Sequence, residues 1–290
     1  MSEQLLEPFQ FEFFRNGMLA AILVGALCGA IGVYVVLRGM SYIGHGLSHA
    51  IFGGAVAAYV LQWNFYVGAG LWGFVAALLI NQTTRRYRIG ADAAIGIITT
   101  ASFAIGVALI SRVRKFTTNF EAALFGNVLG VTFDDVLVIA AVALFTFAVI
   151  FFLYKQLLFV TFDREVASVY GVRADWIDTL LSFVLAAAII VSMQTLGVTL
   201  IAAALVVPPI IARLLTDSFS KMLFGSALLG AVSAAVGMYL SYLIDVASGA
   251  TIVLVAAGMF LCALGVRAWR QRRGKGDASL GPVAAHPWFE

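Results

Sequence analysis

The sequence predicts an all-α fold, a polytopic bundle of transmembrane helices. Hydrophobic residues make up 62% of the 290 positions and charged residues 11%, whereas a soluble domain carries about 25% charged residues. In addition, apolar stretches long enough to cross a bilayer recur along the chain. So few charged side chains cannot cover a water-facing surface of this size. The composition therefore excludes a soluble globular enzyme, a disordered chain and, despite a net charge of +3, a nucleic-acid-binding protein.

The predicted elements follow from the length that a bilayer requires. A membrane-crossing helix needs about 20 mostly apolar residues, which predicts about nine spans. In order they are 16–37, 45–62, 66–82, 92–111, 135–154, 177–194, 197–212, 222–243 and 250–267. The span at 197–212 is the weakest, because it is short and runs into Pro208-Pro209, and a re-entrant element there would leave about eight spans. The mixed stretch 116–133 predicts a connector outside the membrane or half inserted and buried by protein.

The ends of the chain frame this membrane region. The predicted organisation is an extracytoplasmic N-terminal segment 1–15, a transmembrane domain 16–267 and a disordered cytoplasmic tail 268–290. The first segment carries Glu3, Glu7 and Glu12 before Arg15, the opposite of the positively charged start of a signal peptide. The first apolar stretch is therefore predicted to be a retained membrane span.

The placement of basic residues predicts the orientation. Most of the 18 Lys and Arg residues fall in one set of loops and in the tail: Arg38, Arg85, Arg86, Arg88, Lys155, Arg164, Arg173, Arg213, Lys221, Arg267, Arg270, Arg272, Arg273 and Lys275. The opposite set holds Arg15, Arg112, Arg114 and Lys115. Since cytoplasmic loops carry an excess of Lys and Arg, the first set and the C-terminus are predicted to lie in the cytoplasm. The N-terminus is then outside.

Glycine residues cluster inside the predicted spans. Gly25, Gly29 and Gly32 fall in the first span, and Gly53-Gly54 in the second. Small residues at such spacings allow helices to approach closely in lipid. These glycines therefore predict tight helix packing.

The strongest polar cluster opens the second span. His45 and His49 are four residues apart, so on a helix they project from the same face. Imidazole is a good ligand for zinc, manganese and iron, and ionisable residues inside a membrane are functional by default. The pair therefore predicts a metal or proton path. The alternative is that both histidines donate hydrogen bonds to backbone carbonyls at a helix interface.

Two further polar residues stand near the ends of spans. Asp92 opens the fourth span, where it is predicted to cap the helix because Asp accepts from free backbone N–H groups; a place on the transport path is the alternative. Gln194 lies near an outer end, where it either lines an entry mouth or marks the membrane interface.

Two stretches on the predicted cytoplasmic side are candidates for docking. In 162–173, Asp163 is predicted to cap a short amphipathic helix that ends at Gly171. Such a helix either binds a partner protein or lies flat on the membrane surface. The second stretch combines a helix break at Pro208-Pro209 with the charge of Arg213.

The sequence contains no phosphate-binding GxxxxGK[ST] motif and no Ser/His/Asp or Cys/His catalytic set. The chain is therefore predicted not to be an enzyme. Any ATPase that energises it would be a separate chain.

Several sequence blocks follow one another in order across the membrane region. They are Leu37-Arg38-Gly39-Met40-Ser41-Tyr42-Ile43-Gly44, Leu47-Ser48-His49-Ala50, Asp92-Ala93-Ala94-Ile95-Gly96-Ile97, Leu124-Phe125-Gly126-Asn127-Val128-Leu129-Gly130-Val131, Phe162-Asp163-Arg164-Glu165, Gln194-Thr195-Leu196-Gly197-Val198, Val207-Pro208-Pro209, Ala212-Arg213 and Ser248-Gly249-Ala250-Thr251-Ile252-Val253. Together these blocks resemble one family, the permease subunits of zinc/manganese/iron ABC importers, which are related to vitamin B12 and siderophore permeases.

The resemblance implies a multi-pass permease of the bacterial plasma membrane, surrounded by lipid. It implies a homo- or heterodimer of permeases over two ATPase subunits, fed by an extracytoplasmic metal-binding protein. ATP would be bound by the partner, and this chain would hold only the transported divalent metal, zinc, manganese or iron. The residues expected to couple it to the ATPase are Phe162, Asp163, Arg164, Glu165, Gly171, Pro208, Pro209 and Arg213.

One position departs from the family. Its members usually show Gly-Asp-Ala-Leu-Ser-His-Ala, whereas this chain has Gly44-His45-Gly46-Leu47-Ser48-His49-Ala50. The family's metal-interacting aspartate is thus His45, and its histidine is kept as His49. An imidazole in place of a carboxylate favours nitrogen ligation and hence zinc over manganese.

Two other functions remain open at this point. A secondary metal/proton transporter or channel without an ATPase would use the histidines as a proton relay, but it would not need a docking helix at 162–173. A siderophore or B12 permease would fit the related fold, but it would not explain the paired histidines.

Overall fold

The computed structural model describes residues 7–86, 90–112 and 126–274, and every regular element within those ranges is helical. The α-helices are α1 Glu12–Leu37, α2 Ile43–Val60, α3 Phe65–Arg86, α4 Ala91–Arg112, α5 Phe133–Phe152, α6 Tyr154–Phe162, α7 Arg164–Val169, α8 Ala174–Leu196, α9 Ile201–Leu215, α10 Phe219–Ile244 and α11 Ser248–Gly274. Two short 3₁₀ helices lie at Glu7–Gln10 and Val128–Gly130. The prediction of an all-α bundle is confirmed.

Seven of these helices are long and apolar enough to cross a membrane: α1, α3, α4, α5, α8, α10 and α11. The other two predicted spans are also helices. The first of them, α2, contains both histidines and spans 18 residues. The second, α9, is a shorter apolar helix of 15 residues. The prediction of about nine spans thus corresponds to seven full-length helices and two less apolar or shorter ones.

The helix ends refine the predicted boundaries. Helix α1 begins at Glu12, so the predicted N-terminal segment 1–15 already contains its first turn. Helix α11 continues to Gly274, so the start of the predicted tail 268–290 is helical. Residues 1–6 and 275–290 lie outside the described part of the chain.

The predicted connector 116–133 is described from residue 126 onward. Its 3₁₀ helix buries Val128, and the carbonyl oxygen of Val128 packs against Gly17 near the start of α1. Val128 and Val131 thus anchor this part of the connector to the bundle, while Asn127, Leu129 and Gly130 are exposed.

Helix α1 is the centre of the bundle. Most of it is buried, and it packs against α5, α8, α9 and α10. Its approach to α10 is closest at Gly25 and Gly230, where a Cβ added to either residue would overlap the carbonyl oxygen of the other. One turn along, the Ser226 hydroxyl donates a hydrogen bond of 2.6 Å to the Gly29 carbonyl. The glycine spacing in the first span therefore does produce close helix packing.

Helix α9 runs through Pro208-Pro209 without a break, so the predicted helix break at that point is wrong. Proline has no N–H, and Pro209 leaves the Leu205 carbonyl without its helical donor. That carbonyl instead faces Gly32 of α1, where any Cβ would overlap it. A close Cα–H···O contact can offset part of the lost hydrogen bond. Packing on α1 thus accommodates the two prolines.

The turn between α8 and α9 is buried. Gly197 adopts φ +75° directly after Leu196, and Val198 is fully buried. Helix α9 therefore starts inside the bundle rather than at its surface. Its 15 residues span about 22 Å at 1.5 Å per residue, which is short of the bilayer core of about 30 Å. The weakest predicted span is thus a short helix that follows an internal turn.

Candidate metal path

A tight turn after α1 leads the chain into the helix that carries the histidines. Gly39 adopts φ +67°; its amide donates to the Val36 carbonyl at 3.1 Å, and the Met40 amide donates to the Val35 carbonyl at 3.0 Å. This pair of hydrogen bonds is the Schellman motif, which ends a helix with a left-handed residue and favours glycine there. It turns the chain back so that α2 begins at Ile43.

Helix α2 begins within the bundle, level with the second half of α1. Gly44 packs on the side chain of Leu205, whose carbonyl faces Gly32 of α1. The Ser48 hydroxyl lies 3.0 Å from the carbonyl oxygen of Val198, in the buried turn between α8 and α9. The first turns of α2 and this internal turn therefore meet inside the protein.

The two histidines are adjacent in space, as their spacing predicted. The ring centroids of His45 and His49 are 4.5 Å apart with the planes at 76°. Each residue is half-buried. Tyr42 lies one turn earlier, with its ring 5.6 Å from that of His45, and Phe103 of α4 packs edge-on to His49 at 5.1 Å. The histidine pair thus lies between the rings of Tyr42 and Phe103.

The Nδ1 atom of His49 is buried and has no hydrogen-bond partner among the described residues. Buried polar atoms are nearly always paired, so an unpaired ring nitrogen needs an explanation. An unprotonated imidazole nitrogen in this position can bind a metal ion. The predicted alternative, a hydrogen bond to a backbone carbonyl, does not apply to this atom.

Within the described ranges, no third His, Cys, Asp or Glu joins the pair to complete a metal-binding cluster. Two imidazoles supply fewer ligands than the four of a closed structural zinc site.

Close packing against α4 holds the histidine helix in place. Gly46 meets Ile95 and Thr99, and Gly53 meets the Ser102 carbonyl further along both helices. The two helices therefore run parallel, and the start of α4 lies level with the start of α2.

A cavity of about 490 Å³ opens beside these two helix starts, and it is lined by Ser41, Tyr42 and Asp92 together with residues of α9. Asp92 is exposed and lies inside the first turn of α4, which begins at Ala91. Asp92 therefore opens the helix as predicted, one residue inside its first turn rather than at the cap position, where an acidic residue favours the helix dipole. Gln194 lies in α8, but its side chain is outside the described part of the chain.

The short helix α7 has the expected ends. The Asp163 carboxylate accepts a hydrogen bond from the Val166 amide at 2.9 Å. Gly171 adopts φ +78° and closes a second Schellman motif, in which its amide donates to Ser168 and the Val172 amide donates to Ala167, both at 3.0 Å.

The outward face of α7 is exposed and partly apolar. Val169 and Tyr170 are 84% and 75% exposed, and Phe162 before the helix is 60% exposed; Glu165 is exposed as well. Pro208 and Pro209, by contrast, are buried in α9, and their expected part in ATPase coupling stays a prediction. Arg213 is exposed.

Some neighbours of the histidines were not singled out from the sequence. Phe103 is one apolar residue in an apolar helix, and Val198 contributes only a backbone carbonyl. Neither carries a signal of its own, because each acquires its role through contacts between distant parts of the chain.

The fold defines a class, a multi-pass helical membrane protein. The chain belongs to the ABC 3 transport family, whose model matches residues 10–267. The expected membership in the metal ABC permeases is confirmed.

Named relatives are similar over almost their whole length. The manganese transport system membrane protein MntC of Halalkalibacterium halodurans is 39% identical over 281 residues, covering 94% of this chain and 95% of that protein. The chelated iron transport system membrane protein YfeC of Yersinia pestis is 34% identical over 261 residues, covering 90% and 88%. A chain of PsaBC from Streptococcus pneumoniae, solved in complex with Fab, matches with a TM-score of 0.82 at 34% identity, covering 91% of this chain and 95% of that one.

Proposed function

We propose that this chain is the permease subunit of an ATP-driven importer for divalent transition-metal ions, and that His45 and His49 bind the ion during transport. The observation that carries the proposal is the pair itself: two imidazoles 4.5 Å apart inside the bundle, one with a buried and unpaired Nδ1. A neutral imidazole pair one helical turn apart can donate two nitrogen ligands to one ion.

The path continues from the histidines to the cavity beside α2 and α4. His45 is next to Tyr42, and Tyr42 and Asp92 line that cavity. Asp92 provides a carboxylate on the route of a cation that leaves the histidines. Gln194, near the C-terminal end of α8, is a second candidate for a residue on the path.

The partners follow from the family. Two ATPase subunits would bind ATP and dock on α7 of two permease chains, and an extracytoplasmic binding protein would deliver the ion. The exposed apolar residues at the end of α7 support an ATPase partner over a carrier that works alone. We place the protein in the bacterial plasma membrane with the C-terminus in the cytoplasm.

The cargo is manganese, zinc or iron. Relatives are named for manganese and iron transport, while an imidazole at position 45 shifts the ligand set toward nitrogen and zinc.

Uptake by the reconstituted complex tests the proposal. Permease, ATPase and binding protein are assembled in liposomes, and entry of radioactive manganese and zinc is measured with and without ATP. His45→Ala and His49→Ala should each reduce uptake about tenfold or more, since losing even an outer support of a metal site costs about 10–100-fold. His286→Ala makes the same change at the remaining histidine and should transport normally. Normal uptake by both variants, at equal insertion, would remove the histidines from the path.

A further inference from the structure

A single carboxylate, that of Asp178, connects helix α7 to the turn that precedes helix α2. Asp178 of α8 accepts a hydrogen bond from Arg38 Nη1 at 2.6 Å on one oxygen and from Arg164 Nη1 at 2.9 Å on the other. Arg38 is the residue that ends α1, directly before Gly39, and Arg164 is the first residue of α7. The Nε of Arg38 also donates to the Thr161 hydroxyl at 3.2 Å.

The contact between Arg38 and Asp178 is buried, whereas the neighbouring contact between Arg164 and Asp175 is exposed. The side chains of Arg38 and Asp178 are only 12% and 10% exposed, so removing Asp178 leaves the buried charge of Arg38 without this carboxylate. Arg164 also pairs with Asp175, but the Asp175 side chain is 80% exposed, and exposed ion pairs contribute little. The chain therefore contains a buried pair, Arg38 with Asp178, and an exposed pair, Arg164 with Asp175, which are connected because Arg164 also contacts Asp178.

The network is incomplete in this conformation. The Nη2 of Arg38 is buried and has no partner among the described residues, and an unsatisfied buried donor is unfavourable. A cavity of about 240 Å³ lies directly beside it, lined by Arg38, Arg164 and Asp178 as well as Asn81. These groups therefore have both a reason and the space to adopt a second arrangement, as a two-state element requires.

We propose that Asp178 is a positioning residue that transmits movement of α7 to the turn at Arg38 and Gly39, and so to the helix that carries His45 and His49. The inference rests on the proposed function, because it assumes that an ATPase moves α7. When Arg164 moves with α7, the side chain of Asp178 moves with it, and the contact between Asp178 and Arg38 changes. Because α8 also ends in the turn that meets Ser48, the same helix reaches the histidines at its other end.

The test compares Asp178→Asn with Asp175→Asn in the complete complex in liposomes. Metal uptake and ATP hydrolysis are both measured with loaded binding protein, and their ratio is the readout. Asp178→Asn should lower the metal transported per ATP about tenfold, within the range of about 5–150-fold typical of coupling between sites, while ATPase binding is retained. Asp175→Asn should stay within about twofold of wild type, and Asp178→Glu should recover part of the ratio.

A double-mutant cycle distinguishes a specific connection between Arg164 and Asp178, here called the link, from a general loss of folded protein. Arg164→Gln should lower the ratio in wild-type protein but have little further effect in Asp178→Asn, because residues in one network are not additive. Additive losses, or equal losses of uptake, ATP hydrolysis and inserted protein in Asp178→Asn, would overturn the link. If wild-type protein shows ATP-dependent uptake and Asp178→Asn is unchanged, the link alone fails. If wild type shows no ATP-dependent uptake, the proposed function fails and the link with it.

Discussion

The environment of His49 supports the proposed role as a metal ligand over that of a histidine that merely packs. A packing histidine satisfies both ring nitrogens, since leaving a buried one unpaired costs about 1–3 kcal/mol. The Nδ1 of His49 is buried without a partner in the described structure, while its ring faces His45 and Phe103. Phe103 offers no hydrogen bond, so a bound ion is the group that would best relieve this cost.

At position 45 the substituted side chain should determine the metal preference. His45→Ala removes one ligand, whereas His45→Asp supplies an oxygen ligand at the position where the family usually has aspartate. We expect the Asp variant to retain more uptake than the Ala variant and to shift the ratio of manganese to zinc uptake toward manganese, because carboxylate is the harder ligand. Competition between the two ions in the liposome assay measures this ratio. If His45 only packs, Asp would be worse than Ala, since it places an unpaired charge in the membrane region.

Among the elements, α1 and α10 depend on the absence of side chains where they cross. In Gly25→Ala, the new Cβ would overlap the carbonyl oxygen of Gly230, and backbone cannot move aside as a flexible side chain can. Overpacking typically costs about 1–3 kcal/mol, so we expect a lower melting temperature and a reduced yield of monodisperse protein in detergent. Gly258→Ala in α11 is the matched control, because an added Cβ there has no neighbour within 4 Å. Equal melting temperatures for both variants would contradict the crossing.

Helix α7 should be needed for coupling but not for folding. Glu165 is exposed, and a Cβ at Gly171 would meet nothing within 4 Å, so only its φ of +78° resists substitution. We expect Glu165→Lys and Gly171→Val each to weaken ATPase binding about tenfold, which corresponds to about 1.4 kcal/mol, and to reduce uptake accordingly. Co-purification with the ATPase and uptake are the measurements.

The control for α7 makes the same charge change elsewhere. Glu12→Lys alters an exposed glutamate in the first turn of α1 and should retain ATPase binding. Wild-type binding and uptake in both α7 variants would show that the ATPase docks at another surface.

The sequence predicted elements better than the contacts between them. Apolar length located the long apolar helices of the described residues, and the four-residue spacing of the histidines correctly predicted that their rings are adjacent. The helix break predicted at Pro208-Pro209 was wrong, because the local tendency of proline to break a helix is overcome by packing of the Leu205 carbonyl on Gly32. The internal turn at Val198 and the shared carboxylate of Asp178 were not predicted. Each depends on residues far apart in the chain, such as Ser48 with Val198 and Arg38 with Asp178.

At the scale of the whole molecule, the charged residues around α7 mark one end of the bundle. Arg38, Arg164 and Asp178 meet there. The other end is marked by the start of α5, where Thr132 caps the helix and the Tyr66 hydroxyl donates to Asp135 at 2.7 Å. Arg38 and Arg164 belong to the set of basic residues that the sequence predicts to lie in the cytoplasm.

Cysteine labelling determines which end faces the cytoplasm. The chain has two cysteines, of which Cys28 is buried and Cys262 is exposed, so Cys262→Ser provides the background. Ser168→Cys in exposed α7 and Asp134→Cys in the exposed first turn of α5 place one thiol at each end. A membrane-impermeant maleimide added to intact cells should label position 134 and not 168, and permeabilised cells should be labelled at both, because the basic end is held inside. The reverse pattern would place α7 outside the cell, where no ATPase could reach it, and would therefore contradict the orientation and the proposed coupling together.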